Sequence, residues 1–512
     1  MADVDGLVMD AVLQGLDLLV STPLAFAAIA GVAWGILGGA LPGISPSISM
    51  ALLLPFTYAM EPVSAIVLLA STYIGAEYGG SIPAILINTP GTNAAAATVL
   101  DGYAMQQQGR GGDALGISLY SGVIGGFVGL LMLVLLTRPL ANLALAFTPM
   151  SYFALGVLGL SVIASLAGPS ILKGLASGVL GLMVATVGTD PVSGVPRFTF
   201  GQAGLLDGIA PILIMVGLFA VSELFHQASE PAWGRTSHRT TRIRFPGRKL
   251  RRRLIKPQLI GSSIGTVEGV IPGAGGTIAS FLSYNEARRW SKSREEFGRG
   301  SPEGIAAPET ANNTVASTAL VPLLSFGIPG SNSAAILLGG LLIHGLLPGP
   351  RLFEENADTV IGLYTGLFVA NLALLAIGTV VLPICLWLVN RSRALLTAFI
   401  YALIFSGIYT INASLFDVGI VLAAGAAGFL MRLFGLPLLP AVLGVVLGFL
   451  VESNYRRSLV LSAGDHAIFL EDSIAVGLLI VAVLFIAGSL GMRVWLALKK
   501  YRTAAPRADL QS

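Results

Sequence analysis

Apolar residues in this chain come in long blocks, separated by short polar breaks. Runs near the length that crosses a bilayer as a helix recur from Pro23–Leu41 to Ser473–Leu498, predicting an all-α polytopic membrane protein with roughly ten to twelve spans or half-spans. Several runs are interrupted. Ser81–Ala96 reads SIPAILINTPGTNAAA, with two prolines, a glycine and two asparagines inside an apolar region. Proline removes a backbone donor and stops a helix. In hydrocarbon such a break persists only where protein or a water-lined cavity surrounds it.

The break is repeated. Ile82–Ala96 (IPAILINTPGTNAAA) aligns with Val321–Ala335 (VPLLSFGIPGSNSAA) at an offset of 239, matching Pro90, Gly91 and Asn93 to Pro329, Gly330 and Asn332. Upstream, GGALPGISPSIS aligns with EGVIPGAGGTIA at an offset of 230, matching Pro42 and Gly43 to Pro272 and Gly273. Two paired motifs in the same order predict an internal duplication. The expected organisation is a first repeat over 1–225, a basic linker over 226–256 and a second repeat over 257–512. Whether the repeats are inverted or parallel depends on an odd or even number of crossings in each.

Composition narrows the class. Of 512 residues, 54% are hydrophobic and 11% charged, and the mean hydropathy is +0.81. Soluble domains carry about 25% charged residues. The apolar blocks consume nearly the whole chain, so the membrane part must carry the function. The charge distribution predicts topology. No Lys or Arg precedes Arg110, whereas Asp3, Asp5, Asp10 and Asp17 lie at the start; without a basic n-region the N-terminus is expected to be mature and external. Arg235–Lys256 holds ten of the thirty basic residues and no acid, which places this loop in the cytoplasm. Lys499, Lys500, Arg502 and Arg507 place the tail on the same side. Lone Cys385 excludes an intrachain disulfide and reads as a small buried hydrophobe.

The broken segments carry the candidate chemistry. A helix, Pro-Gly turn, helix pattern reads as a re-entrant hairpin whose half-helix N-terminus exposes free N–H groups with a partial positive charge, suited to a carboxylate. Thr89, Thr92 and Asn93 flank Pro90-Gly91, and Ser331, Asn332 and Ser333 follow Pro329-Gly330. Ser45, Ser47 and Ser49 follow Pro42-Gly43, and Thr277 follows Pro272-Gly273. These side chains can donate to an anion or offer oxygens to a small cation such as sodium. Asn312 and Asn313 beside Glu309 add neutral oxygens. The same residue types also serve as caps and turn formers. Glu77, Asp101, Glu268, Glu286 and Glu309 lie near the breaks, and intramembrane acids are functional candidates by default. Glu77 and Glu309 rank first because each lies near polar residues in an otherwise apolar region.

Other classes find no support. There is no P-loop motif, and His226, His238, His344 and His466 are widely separated, without a zinc-ligand pair. The basic loop lacks the aromatic interleaving expected for nucleic acid. No acid, base and nucleophile constellation suggests an enzyme, so neither a catalytic residue nor a cofactor is expected.

GGALPGISPSISMALLLPFTY, GAEYGGSIPAILINTPGTNAAAATVLDGYAM, EGVIPGAGGTIASFLSY, APETANNTVASTALVPLLSFGIPGSNSAAILLGGLLIHGL and LGFLVESNYRRSL together resemble the large membrane subunit of the tripartite tricarboxylate transporters, the TctA family. The similarity covers about Leu24 to Asp465. It implies a secondary transporter of the bacterial inner membrane that takes a tricarboxylate or related carboxylate from a periplasmic binding protein. It also implies a small membrane partner subunit and coupling to a Na+ or H+ gradient. The expectation is an importer whose facing tips hold the carboxylate and coupling cations, with one part moving against a scaffold in an elevator-like way. A channel or exporter that needs no binding protein is the alternative.

Overall fold

A computed structural model describes residues 13–15, 17–19, 23–41, 44–166, 170–190, 194–229, 242–271, 275–389 and 393–504. Pro42, Gly43, Pro272 and Gly273 lie outside the described residues, as do the N-terminal aspartates Asp3, Asp5 and Asp10 and the loop from Arg235 to Thr241.

Among the described residues the regular structure is helical apart from one two-stranded hairpin. Before the basic segment run α1 (Leu24–Ala40), α2 (Pro46–Thr57), α3 (Pro62–Gly79), α4 (Ser81–Ile87), α5 (Ala96–Gln107) and α6 (Gly111–Ala144). From within the basic segment onward run α7 (Arg248–Val270), α8 (Gly275–Trp290), α9 (Pro302–Thr318), α10 (Leu320–Phe326), α11 (Asn332–Ile343) and α12 (Ala357–Val380). Proline sits at the first turn of α2, α3 and α9, where its missing N–H costs nothing. Glu61 caps α3 by accepting from the backbone N–H of Val63 at 3.2 Å and of Ser64 at 3.1 Å.

Among the described residues, four helices are long and apolar enough to cross a membrane, or five if a bent pair ending in α1 counts as one span. Roughly ten to twelve spans or half-spans were expected from the apolar runs. One physical cause is that prolines and glycines split the runs, so that apolar helices such as α2, α11 and Ile171–Ala185 stay below full spanning length.

Positions paired by the two sequence offsets make matching contacts. Helix α4 ends at Asn88 with φ 59°, and α10 ends at Gly327 with φ 75°. After these left-handed caps, Thr89 N–H reaches Pro83 O at 3.3 Å, and Ile328 N–H reaches Pro322 O at 3.3 Å. Helices α1 and α3 touch through backbone: a Cβ on Gly31 would lie 2.5 Å from Leu68 O, and one on Gly35 2.3 Å from Thr72 O. Helices α7 and α9 do the same at Gly261, 2.4 Å from Ala307 O, and Gly265, 2.5 Å from Ala311 O. Glycines four apart let helix backbones approach this closely.

The chain forms two compact units, and each takes stretches from both sides of the basic segment. The larger comprises residues 1–146 and 210–430 and contains α1–α12. The smaller comprises residues 147–209 and 431–512. In it, Leu438–Leu461 packs on Pro149–Leu166 and Ile171–Ala185, and Ser473–Ala504 packs on Pro149–Leu166. The hairpin Gly188–Thr189 with Pro196–Arg197 is tied down by a ring of charges. Arg197 binds both carboxylate oxygens of Glu452 at 2.6 and 3.3 Å, while Arg456 reaches Glu452 at 2.9 Å and Asp190 at 2.9 Å.

Candidate functional site

The site belongs to the larger unit and grows from two helix-to-tip transitions. Helix α3 passes through Gly80 into α4, and the chain then turns through Asn88–Ala95 into α5. Helix α9 passes through Ala319 into α10 and turns through Gly327–Ser331 into α11. Both tips fold back on their own helices. Gly91 N–H bonds Gly80 O at 3.0 Å, and a Cβ on Gly91 would lie 2.0 Å from Gly39 O. A Cβ on Gly330, the paired position, would lie 2.9 Å from Gly269 O and 3.0 Å from Ala319 O. Each Pro-Gly glycine therefore lies against the C-terminal end of a long helix, where a side chain does not fit.

Polar side chains then cross between the two halves of the chain. Asn312 on α9 donates its amide to Glu77 Oε2 on α3 at 3.0 Å. Ser81, at the start of α4, donates to Glu309 Oε1 at 2.5 Å, and Thr98 on α5 donates to the same oxygen. Tyr73 on α3 and Ser331 at the second tip share a hydrogen bond of 3.1 Å. Tyr73 and Asn312 are themselves a pair at offset 239, so each half sends its equivalent residue into the other. The acids do not repeat: Glu77 pairs with Ala316 and Glu309 with Ala70.

Burial makes these groups electrostatically demanding. Glu77 is 6% and Glu309 1% exposed, and neither forms an ion pair with Lys, Arg or His among the described residues. Glu309 Oε2, Asn312 Oδ1 and Asn313 Oδ1 are buried and accept no hydrogen bond among the described residues. A buried carboxylate without a countercharge is costly, and acceptor oxygens without donors favour a cation or a proton. The position of Asn312 depends on Gly276: a Cβ there would lie 2.3 Å from Asn312 Oδ1, and 3.5 Å from Ala94 Cβ of the first tip. Among the described residues no cluster of three His, Cys, Asp or Glu is set to hold a metal.

Other predicted residues have local work. Thr92 Oγ1 accepts from Ala95 N–H at 3.3 Å, and Ser331 Oγ accepts from Ala334 N–H at 3.1 Å, so both close a turn three residues on at paired positions, and Ser331 also caps α11. Ser45 caps α2 through Ile48 N–H at 3.3 Å and bonds Ser47 Oγ at 2.9 Å. Thr89 donates to Ile87 O at 3.3 Å. Asn313 donates to Glu309 O at 3.0 Å on its own helix, and Ser333 is buried in the first turn of α11. Pro90 is half-buried and Pro329 buried. Asn93, Asn332 and Thr277 are exposed, the two asparagines again at paired positions.

Asp101 holds structure together. Its Oδ1 accepts from Gly300 N–H at 2.8 Å and Ser301 N–H at 2.7 Å, ahead of α9, and its Oδ2 accepts from Tyr284 on α8 at 3.0 Å. Glu286 pairs on its own helix with Arg289 and Trp290. The sequence reading missed Tyr73, Ser81 and Thr98. A signal for two of them exists, because Tyr73, Glu77 and Ser81 recur every four residues and so share one helical face.

No solved structure matches the chain. Among curated relatives, an uncharacterized 52.8 kDa protein in the TAR-I ttuC' 3' region of Agrobacterium vitis is 39% identical over 453 residues, 88% of this chain and 90% of that protein. An uncharacterized protein in the TAR-II ttuC' 3' region of the same organism is 34% identical over 215 residues, 42% of this chain and 89% of that protein. The model of the tripartite tricarboxylate transporter TctA family matches residues 25–443, the stretch that contains both tips and every residue of the site, and the chain belongs to that family.

Proposed function

We propose that this membrane permease subunit imports a tricarboxylate or related carboxylate delivered by a periplasmic binding protein, with a small membrane subunit as partner and a Na+ or H+ gradient as the driving force. One observation carries the reading: two buried carboxylates, Glu77 and Glu309, each hydrogen-bond across the two halves of the chain beside unpartnered acceptor oxygens and meet no Lys, Arg or His among the described residues. Glu309, Asn312 and Asn313 would take the coupling cation or proton. The exposed amides of Asn93 and Asn332, with the backbone of the tips, would meet the substrate carboxylates. The matching turns and glycine contacts support an internal duplication. The larger unit would carry substrate and ions, and the smaller would serve as scaffold, with one moving against the other to alternate access. The protein would lie in the inner membrane, with the basic segment and the C-terminus in the cytoplasm and the N-terminus outside.

The test is uptake of radiolabelled carboxylates by vesicles containing this chain, its small subunit and its binding protein. Uptake that ignores imposed Na+ and H+ gradients would overturn the coupling. Uptake by the chain alone would remove the binding-protein dependence and favour a channel or exporter. Asn93→Ala and Asn332→Ala should each raise the concentration of carboxylate needed for half-maximal uptake; no change in either returns the tips to structural turns.

A further inference from the structure

At the opposite end of α7 from Gly269 lies a cavity of about 500 Å³ that the transport site does not use. Its walls include Arg252, Arg253 and Lys256 on α7, Trp290 at the end of α8, Lys292 after it, and Glu303 at the start of α9. The charges are unevenly satisfied. Arg253 bonds Glu296 at 2.7 Å and Glu303 at 2.6 Å, so these three groups pair among themselves and carry one net negative charge against the three remaining cations. Lys256 donates to Trp290 O at 2.8 Å and lies 5.5 Å over the indole ring, but meets no carboxylate among the described residues. Arg252 and Lys292 are exposed and have no hydrogen bond or ion pair among the described residues. Three cations therefore border one cavity without a matching anion.

The surroundings say what kind of anion fits. On the neighbouring face of α7, Ile255 is 53%, Leu259 63% and Val267 59% exposed, apolar side chains at multiples of four residues with the small Ser263 between the last two. Trp290 is 56% exposed beside the cations. A basic cavity, an exposed indole and an adjoining apolar stripe match the order of a lipid: charged head, interfacial belt, acyl chain. A free anion would use the cations alone, whereas a lipid would use the cations and the stripe together.

We propose that this cavity binds the phosphate of an anionic phospholipid, with Arg252, Lys256 and Lys292 around the phosphate and an acyl chain along Ile255, Leu259 and Val267. The shared chemistry with a soluble phosphate is the phosphate group itself; the stripe selects the lipid. The site does not depend on which carboxylate or ion is transported.

The test places the full chain in nanodiscs of phosphatidylcholine, with and without phosphatidylglycerol, and compares the melting midpoint and the lipid retained in native mass spectrometry. Phosphatidylglycerol should raise the midpoint by about 2 °C or more. The variant Arg252→Gln/Lys256→Gln/Lys292→Gln should lose that rise, and Arg248→Gln/Lys249→Gln, which removes charge outside the cavity, should keep it. If the triple variant melts early even in phosphatidylcholine, Lys292→Glu and Lys292→Arg decide: the first should lower retained phosphatidylglycerol at least twofold and the second should not. An undiminished rise in a stable triple variant, equal loss in Arg248→Gln/Lys249→Gln, or unchanged retention in Lys292→Glu overturns the proposal. A rise reproduced by inorganic phosphate in phosphatidylcholine nanodiscs overturns the lipid as its source.

Discussion

Asn312 donates its side-chain amide to Glu77 across 235 residues of sequence, joining α9 of the second half to α3 of the first at 3.0 Å. Removing the donor leaves a buried carboxylate without that partner. Asn312→Ala should therefore cost about 1–3 kcal/mol, read as a lower melting midpoint, and should reduce uptake. Adding Glu77→Gln should restore part of the stability, because the charge left unpaired is gone, but should not restore uptake.

Glu309 separates a cation role from a packing role. Glu309→Gln keeps volume and most hydrogen-bonding capacity, so the fold should survive. The purified variant should lose any stabilisation that Na+ or acidification gives the parent protein. If it keeps that response in full in a thermal shift assay, the coupling site lies elsewhere.

The second tip is held by the hydroxyl pair Tyr73 and Ser331. Tyr73→Phe should cost about 1 kcal/mol. Ser331→Ala should cost about 1–2 kcal/mol, since it also removes a helix cap. The double variant should cost less than the sum of the two, a non-additivity that a thermodynamic cycle on purified protein measures.

Asp101 predicts a different phenotype. Asp101→Ala strands the N–H groups of Gly300 and Ser301 and the Tyr284 hydroxyl, all buried, and should destabilise by about 3–5 kcal/mol, the scale of a broken buried charge network. Folded protein in the membrane should fall sharply, with transport per folded molecule changing less than in the Glu309 variant.

The backbone contacts of α1 with α3 and of α7 with α9 leave no room for growth. Gly35→Val and Gly265→Val would each drive a side chain into a carbonyl oxygen and should lower the yield of folded protein by comparable factors, scored by size-exclusion profile.

Much of this arrangement can be read from the chain. The tips and their pairing follow from Pro-Gly-polar patterns at a constant offset, because proline and glycine act on the backbone locally. The glycine ladders Gly31, Gly35, Gly39 and Gly261, Gly265, Gly269 are equally visible, at the offset of 230, and mark where helices touch. The span count is harder to read, since hydropathy averages over the short breaks that end helices. The partners of Glu309 are hidden for another reason: Ser81 and Thr98 lie 228 and 211 residues away in sequence, and only tertiary packing selects them from many similar hydroxyls. Thr92 and Ser331 show the converse, since residue types that suggest ligands also close turns and, at Ser331, cap a helix.

The acids at Glu77 and Glu309 face alanines at their paired positions, Ala316 and Ala70. The two stretches related by the offset thus carry their buried acids at non-equivalent positions. A protein assembled from two copies of the first half would hold two equivalents of Glu77 and none of Glu309; two copies of the second would hold the reverse. A single polypeptide that carries both stretches thus holds one acid of each kind in every molecule, in surroundings that are not interchangeable.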